Sequence, residues 1–254
     1  MAMEPWTVLG LVLGGSLSGF VNVLAGGGSL ITLPLLIFLG LPATAANGTN
    51  RLSILLQSGT AAWRFHRQNL IDWGLVARLL GPLWLGALSG AWLASQMSDT
   101  DFKALIGWLS LVAGALTAFD VRRIFDRTSK REATSGVSMA SCIAMLFVGL
   151  YGGLAQAGVG YLFLAALTLF LRKDLVEATA LKVVLTGAYT PVAIGVFQWQ
   201  SQVSWPHAIA LSAGSIAGAQ LGAGLAIRTN ARFVRPLVAI LIMAAAFKLV
   251  WDAY

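Results

Sequence analysis

The sequence predicts an all-α polytopic membrane protein made of two inverted repeats of about five membrane segments each, with short or broken helices after glycine-rich breaks. Three observations support this fold class: the composition, a series of long apolar stretches and an internal repeat. Of the 254 residues, 57% are hydrophobic and only 11% are charged. A soluble domain of this length needs more polar surface than that composition supplies, so the chain is predicted to lie in a lipid bilayer.

Eight apolar stretches are candidates for membrane helices, and several are long enough to cross about 30 Å of hydrocarbon at about 1.5 Å per residue. They run from Trp6 to Leu24, Ile54 to Ala62, Trp73 to Ala94, Phe102 to Phe119, Met139 to Leu154, Leu181 to Val196, Trp205 to Ala226 and Phe233 to Val250. The first stretch is not predicted to be a cleavable signal, since Glu4 stands where a signal peptide carries basic residues.

An internal repeat relates the two halves of the chain. Residues 132 positions apart match without a gap, as in Gly26 with Gly158 and Trp73 with Trp205. A fixed register over such a length indicates duplication of one structural unit. The sequence therefore predicts a first membrane repeat over 1–121, a cytoplasmic basic linker over 122–136 and a second membrane repeat over 137–254.

Each repeat has the same order of elements: a long helix, a glycine break, a short apolar piece and three further helices. The short pieces run from Ser29 to Leu39 and from Tyr161 to Leu171. If both pieces cross the membrane, each repeat has five segments. An odd number of crossings makes the second repeat enter the membrane in the opposite orientation.

The loop charges favour this inversion. Arg64 and Arg67 follow the third segment of the first repeat, whereas the equivalent GVFQWQSQVS of the second repeat has no charge. With the basic loops and the linker in the cytoplasm, both chain termini are predicted to lie outside. The alternative is a re-entrant short piece in each repeat, which gives four crossings per repeat and parallel repeats; inversion is preferred.

The glycine breaks predict a binding site. Gly26, Gly27 and Gly28 interrupt the first repeat, and Gly158 and Gly160 interrupt the second. Paired broken helices are typical of transporter binding sites, and each short helix would present an N-terminus suited to an anion. The alternative is that these glycines only allow close packing, which is the preferred interpretation for Gly86 with Gly90 and for the glycines at 214, 218 and 222.

Two cations follow the short pieces. Arg51 and Lys182 lie within or beside apolar helices, and Asn50 aligns with Lys182 in the repeat. An intramembrane cation is a functional candidate by default, and both would attract an oxyanion. The alternatives are snorkelling to the headgroups, or pairing of Lys182 with Glu177 or Asp174.

Neutral polar residues near the same level are secondary candidates for substrate binding. They are Asn22, Ser29, Asn47, Thr49, Asn50, Gln57, Gln156 and Thr179. Such side chains also form hydrogen bonds between helices, which is the alternative role.

Other functions lack their chemical parts. The chain has no HExxH, GxSxG or Walker A motif and no acidic pair at metal spacing, so no enzyme activity, cofactor or metal is predicted. The basic residues responsible for the net charge of +7 lie in loops between apolar segments. Membrane topology explains that placement better than nucleic-acid binding does. The expected partners are a small anion, the lipid bilayer, a proton as coupling ion through Asp72, Asp120, Glu177 or Asp252, and a second copy in a homodimer through glycine-rich faces.

The segment GGGSLITLPLLIFLGLPATAANGTN, repeated more loosely as QAGVGYLFLAALTLFLRKDLVEATALK, resembles the TauE/SafE sulfite exporter family, also called the toluene sulfonate uptake permease family. The second repeat departs from this motif at Ala166, where the first has Pro34. The resemblance implies a membrane protein that moves sulfite or organosulfonate anions, usually without ATP. We therefore expect a secondary transporter in the bacterial inner membrane, an exporter of these anions, in which one repeat rocks against the other to give alternating access. The alternatives are an anion channel of the same architecture and a carrier of a small carboxylate.

Overall fold

The computed structural model describes residues 3–24, 26–118 and 137–228, together with residues 243, 247, 248 and 251. The predicted linker over 122–136, the acids Asp120 and Asp252, and most of the last apolar stretch lie outside the described residues. The described part of the chain contains nine helices and no strand. They are α1 (Pro5–Leu24), α2 (Ser29–Phe38), α3 (Ala43–His66), α4 (Trp73–Gln96), α5 (Asp99–Ala118), α6 (Met139–Leu154), α7 (Val159–Leu169), α8 (Leu175–Trp199) and α9 (Trp205–Arg228).

Four of these helices, α1, α4, α8 and α9, are long and apolar enough to cross a membrane. Helix α3 has 24 residues, but its first half carries the polar sequence ATAANGTNR. The shorter α2 and α7 follow the two breaks, as the glycine pattern predicts; α2 begins at Ser29, and α7 begins slightly before the predicted Tyr161.

The helix bounds recur along the chain, with one shift. Helices α3 and α8 begin at the predicted offset of the repeat, and so do α4 and α9. By contrast, the last residues of α1 and α6 are two positions closer together than the 132-residue offset of the repeat. The first residues of α2 and α7 show the same shorter offset. The gapless match is therefore wrong at the breaks. The second repeat returns to the 132-residue offset after its break. Helix α7 is one residue longer than α2, and the loop before α8 is one residue longer than the loop before α3.

This shift changes which residues of the two breaks are equivalent. Gly28 and Gly158 are the N-cap residues of α2 and α7, so they correspond to each other. Gly26 then corresponds to Gln156, and both have a positive φ, +87° and +59°. A side chain therefore stands in the second break where the first has none.

The equivalent helices α3 and α8 pack against each other in antiparallel orientation. A Cβ atom at Gly48 would lie 2.9 Å from the Cβ of Phe197, and one at Gly187 would lie 3.3 Å from the Cβ of Ser58. The contact positions therefore advance towards the C-terminus in α3 while they move towards the N-terminus in α8.

Helices α1 and α9 form one close pair, and the equivalent α6 and α4 form another. A Cβ atom at Gly218 would lie 1.8 Å from the carbonyl oxygen of Ser16, and one at Gly90 would lie 1.9 Å from that of Leu150. The glycines at 86 and 90 of α4 and at 214, 218 and 222 of α9 therefore serve close packing within the chain. The prediction that these faces are free for a homodimer is wrong, and a homodimer through another surface stays a prediction.

Side chains fix where α3 and α8 begin. The carboxylate of Asp99, from the start of α5, accepts hydrogen bonds from the backbone N–H groups of Ala43 and Thr44. At the start of α8, Asp174 accepts from Val176 and Glu177 at 2.8 and 2.9 Å. Carboxylates at helix N-termini satisfy unpaired N–H groups and complement the helix dipole.

Candidate functional site

The two glycine breaks cross each other. The backbone N–H of Gly160 donates to the carbonyl of Gly26 at 3.3 Å. A Cβ atom at Gly160 would lie 2.2 Å from the Cα of Gly26, and Gly26 has a φ of +87°. Both positions therefore require glycine, one for its backbone conformation and both for the close approach.

The second break is folded against the end of α6. Gln156 is 2% exposed, so its side chain lies inside the protein. The carbonyl of the next residue, Ala157, accepts a hydrogen bond from the hydroxyl of Tyr151 at 2.6 Å. Helix α6 therefore holds the break that follows it.

Arg51 connects α3 to the end of α6. Its side chain is fully buried, and its guanidinium donates to the carbonyls of Gly152 and Gly153 at 2.5 and 2.6 Å. These carbonyls belong to the last turn of α6, where no further helical N–H is available. A cation at a helix C-terminus also complements the negative end of the dipole. Arg51 is thus a C-terminal cap for a helix of the other repeat.

Lys182, in the second repeat, caps the C-terminus of a helix of the first repeat. Its ammonium, in α8, donates to the carbonyls of Asn22 and Val23 at 2.9 and 3.1 Å, in the last turn of α1. These carbonyls correspond to those that Arg51 contacts, at the shorter offset that relates α1 to α6. We call these two interactions the crossed caps.

The crossed caps decide between the roles predicted for the two cations. Arg51 is fully buried and Lys182 is 2% exposed, so snorkelling is the wrong interpretation for both. Glu177, a predicted partner of Lys182, lies 3.6 Å from Lys173 instead. Both cations are therefore internal to the protein and bound to helix ends.

Asparagines of α3 extend these contacts. Asn47 donates to the carbonyl of Leu154 at 2.8 Å and accepts from Arg51 at 3.2 Å. Asn50 accepts from the Thr32 hydroxyl at 2.7 Å and donates to the Ser29 hydroxyl at 3.2 Å. Asn47 therefore supports the cap on α6, and Asn50 fixes the first turn of α2.

Gln156 and Tyr189 complete the network around Arg51. The Oε1 atom of Gln156 accepts from Arg51 at 2.7 Å and from the Tyr189 hydroxyl at 2.5 Å. The guanidinium also lies over the ring of Phe197, 5.3 Å from its centroid. Sequence reasoning missed Tyr189, although it is the equivalent in α8 of the predicted Gln57 in α3.

Helices α2 and α7 both begin at the breaks. Their N-cap residues are Gly28 and Gly158, and neither N-terminus has a side-chain cap. The Gly28 backbone lies against α1, because a Cβ atom there would be 2.6 Å from the Cβ of Asn22 and 2.8 Å from the Oγ of Ser18. Gly27 lies beside the ring of Tyr161 in α7.

Several polar atoms of α1 and α3 have no hydrogen-bond partner among the described residues. They are both amide atoms of Gln57 and the hydroxyls of Ser18 and Ser53, all on fully buried side chains. The Nε of Arg51 is likewise unpartnered. Buried polar groups are normally satisfied, so these atoms indicate a place for water or a ligand.

Two predicted residues do not join this cluster. The hydroxyl of Thr49 accepts from the backbone N–H of Ser204, just before α9. The hydroxyl of Thr179 donates to the carbonyl of Leu175 within its own helix, at 2.7 Å. Neither hydroxyl is directed at a break by these contacts.

The buried charge of the described helices is positive. Arg51 and Lys182 are their buried charged side chains, and no aspartate or glutamate is buried among the described residues. No cluster of three or more metal-ligating side chains occurs in this part of the chain either.

The chain is similar to several proteins that are named as probable membrane transporters. The chain is 27% identical to a probable membrane transporter protein of Haemophilus influenzae, over 94% of this chain and 92% of the relative. It is 28% identical to the probable membrane transporter protein ORF9 of a Sinorhizobium species, over 93% and 89% of the two chains. The probable membrane transporter protein YfcA of Escherichia coli K12 is 24% identical, over 94% and 87%. No solved structure matches.

The family model for the sulfite exporter TauE/SafE matches residues 11–249, which is nearly the whole chain and includes both breaks. The resemblance seen in the glycine-rich segments is thereby confirmed. The chain is a membrane protein that belongs to the TauE/SafE sulfite exporter family.

Proposed function

We propose that this protein is a secondary transporter that exports sulfite or an organosulfonate across the bacterial inner membrane, with the anion bound between the two repeats. The family and the names of the relatives indicate transport and not catalysis. The observation that carries the choice of an anion is the buried charge of Arg51 and Lys182 beside two crossing helix breaks.

The charge balance supports an anion. Each helix C-terminus carries about half a negative charge and each N-terminus about half a positive charge, so the ends of α1 and α6 are offset by the starts of α2 and α7. The two buried cations then leave a net positive charge at the centre. A sulfonate or sulfite group has the complementary sign of charge.

The antiparallel packing of α3 against α8 supports inverted repeats, because these two helices are equivalent in the repeat. Inverted repeats that meet at broken helices allow one repeat to rock against the other around a fixed site. The breaks would then face one side of the membrane and afterwards the other. The crossed caps join α3 to α6 and α8 to α1, so they link the repeats through this movement.

Flux measurement tests the function. Purified protein in proteoliposomes is expected to move labelled sulfite with saturable kinetics, and unlabelled sulfite or sulfoacetate on the opposite side should accelerate exchange. An imposed pH gradient tests the proposed proton coupling. Empty liposomes are the control for leakage of the acid form, and equal flux in both preparations would reject the proposal.

The same assay separates the alternatives. A channel would give flux that rises linearly with concentration and no acceleration by substrate on the other side. A carboxylate carrier would exchange a small carboxylate in preference to every sulfur anion. Either result would replace the proposed substrate or mechanism.

Cysteine labelling tests the orientation. In a Cys142→Ser background, the cysteine of Arg67→Cys is proposed to face the cytoplasm, and that of Gln200→Cys, in the equivalent loop of the second repeat, to face outside. An impermeant maleimide added to intact cells should label only the second variant. The same result for both variants, either labelled or unlabelled, would favour parallel repeats.

A further inference from the structure

We propose that the oxyanion group of the substrate binds in front of the N-terminus of α2, held by the neutral donors of Ser18 and Gln57, while Arg51 and Lys182 remain in the crossed caps. We call Ser18, Gly28 and Gln57 the α2 half-site. This inference rests on the proposed function and specifies which of the two breaks receives the anion.

The course of α3 places Gln57 in front of α2. The chain turns back after α2, so α3 runs along it in the opposite direction, and Asn50 contacts Ser29 and Thr32 in the first turn of α2. Seven residues later, Gln57 returns to the same face of α3, about 10 Å further along the axis. That step carries it past the first turn of α2, to the level of the break.

The second repeat supports this placement. There Tyr189 is the equivalent of Gln57, and its hydroxyl donates to Gln156 in the break. Gln156 corresponds to Gly26, so the same arrangement in the first repeat directs Gln57 at the position of Gly26. Gly26 has no side chain to meet it, which agrees with the unpartnered amide of Gln57.

Ser18 approaches the same place from α1. Its Oγ lies 2.8 Å from where a Cβ of Gly28 would be, and Gly28 is the N-cap of α2. Helices α1 and α3 both contact α2 and each other. The hydroxyl and the amide thus flank one helix N-terminus from two sides.

The unpartnered atoms supply what an oxyanion requires. The Nε2 atom of Gln57 has two N–H donors and Ser18 has one O–H donor, and no described residue accepts from them. At the N-terminus of α2, the N–H groups of Leu30 and Ile31 donate to the carbonyls of Gly27 and Gly28 at 3.0 Å each. The N–H of Ser29 and the positive end of the helix dipole are left for the anion, with no side-chain cap in competition. A sulfonate or sulfite group has three oxygens for these donors.

The second break cannot serve in the same way. The Tyr189 hydroxyl lies 2.6 Å from where a Cβ of Gly152 would be, so the phenol reaches the end of α6. Gln156 is held by Tyr189 and by Arg51 together. At the second break Gln156 and Tyr189 bond to each other, and of the described side chains there the unpartnered donor is the Nε of Arg51.

Transport kinetics of Ser18→Ala, Gln57→Leu and wild type test this assignment in proteoliposomes with labelled sulfite. Each substitution removes a donor to the bound anion, so KM should rise about threefold for Ser18→Ala and about tenfold or more for Gln57→Leu. The melting temperature without substrate should stay unchanged or rise, because a buried group without a partner is removed. A purely structural role would instead lower it.

Ser110→Ala is the matched control. Ser110 of α5 also has a fully buried hydroxyl without a described partner, and it is remote in sequence from both breaks. Its KM should equal that of wild type. If wild-type protein moves sulfite and both half-site variants keep its KM, the unpartnered atoms bind water and the assignment is wrong. If wild-type protein moves no sulfur anion, the proposed function itself fails.

Discussion

The two breaks begin from one repeated pattern but differ in how their polar groups are used. At the α6–α7 break, Gln156 lies between Arg51 and Tyr189 and accepts a hydrogen bond from each. At the α1–α2 break, Gly26 stands in the equivalent position, and Ser18 and Gln57 have no partner among the described residues. The side chain of Gln156 therefore takes up hydrogen bonds at one break that have no counterpart at the other, where glycine stands.

An interpretation based on charge alone would assign both helix capping and substrate binding to Arg51 and Lys182. The difference between the breaks separates these two roles. The cations hold the ends of broken helices through the crossed caps, and we propose that the neutral donors of Ser18 and Gln57 bind the substrate. Fixed caps keep the helix ends in place, and neutral donors allow an anion to leave, which a transporter requires as much as binding.

The largest effect is expected at the crossing of the breaks. In Gly160→Ala the new Cβ would lie 2.2 Å from the Cα of Gly26, and backbone cannot yield as a side chain can. We expect a loss of about 3 kcal/mol or more in the free energy of unfolding, at the upper end for overpacking, and loss of flux. Melting temperature in detergent and sulfite flux measure both.

Gly59→Ala is the control for this substitution. Gly59 lies within α3, and a Cβ there would meet no atom within 4 Å. Alanine is the better helix former by up to about 1 kcal/mol, so this variant should melt at or above the wild-type temperature. Equal melting temperatures of Gly160→Ala and Gly59→Ala would contradict the close approach of the two breaks.

The next effect concerns the cap on α6. Arg51→Ala leaves the carbonyls of Gly152 and Gly153 without their donor, at about 1–3 kcal/mol each, so it should lower stability by several kcal/mol and abolish flux. Arg51→Lys keeps the charge but fewer donors, and should retain part of both. Full flux in Arg51→Ala would show that the cap is dispensable.

The smallest effect is expected at Tyr189. Tyr189→Phe removes one hydrogen bond to Gln156 while Arg51 still donates to the same oxygen, so a loss of about 1 kcal/mol is expected. The KM for sulfite should stay close to the wild-type value, unlike that of Gln57→Leu at the equivalent position. A larger rise in KM for Tyr189→Phe than for Gln57→Leu would place the anion at the second break.

Local patterns predicted much of this arrangement. Long apolar stretches and glycine runs predicted the helices α1, α4, α8 and α9 that can span a membrane, the two breaks and the start of α2 at Ser29. The repeat brought Asn50 and Lys182 to attention, since an intramembrane polar residue is informative without any structure.

The partners of those residues could not be predicted. Arg51 and Gly152 are far apart in the sequence, and only the packing of one repeat on the other brings them together. The register of the breaks was hidden, because a gapless alignment matches Gly26 with another glycine, Gly158, and so conceals its correspondence with Gln156. Tyr189 looked like an ordinary aromatic residue of an apolar helix.

Equilibrium binding to wild type and Gln57→Glu tests the central claim most directly. A carboxylate at position 57 removes the amide donors and places a negative charge beside the bound oxyanion. Wild-type melting temperature should rise with sulfite or sulfoacetate, by the equivalent of about 2.7 kcal/mol at a hundred times Kd, and should not respond to acetate. Gln57→Glu should show no response to sulfite. An equal sulfite response in both proteins would contradict the account.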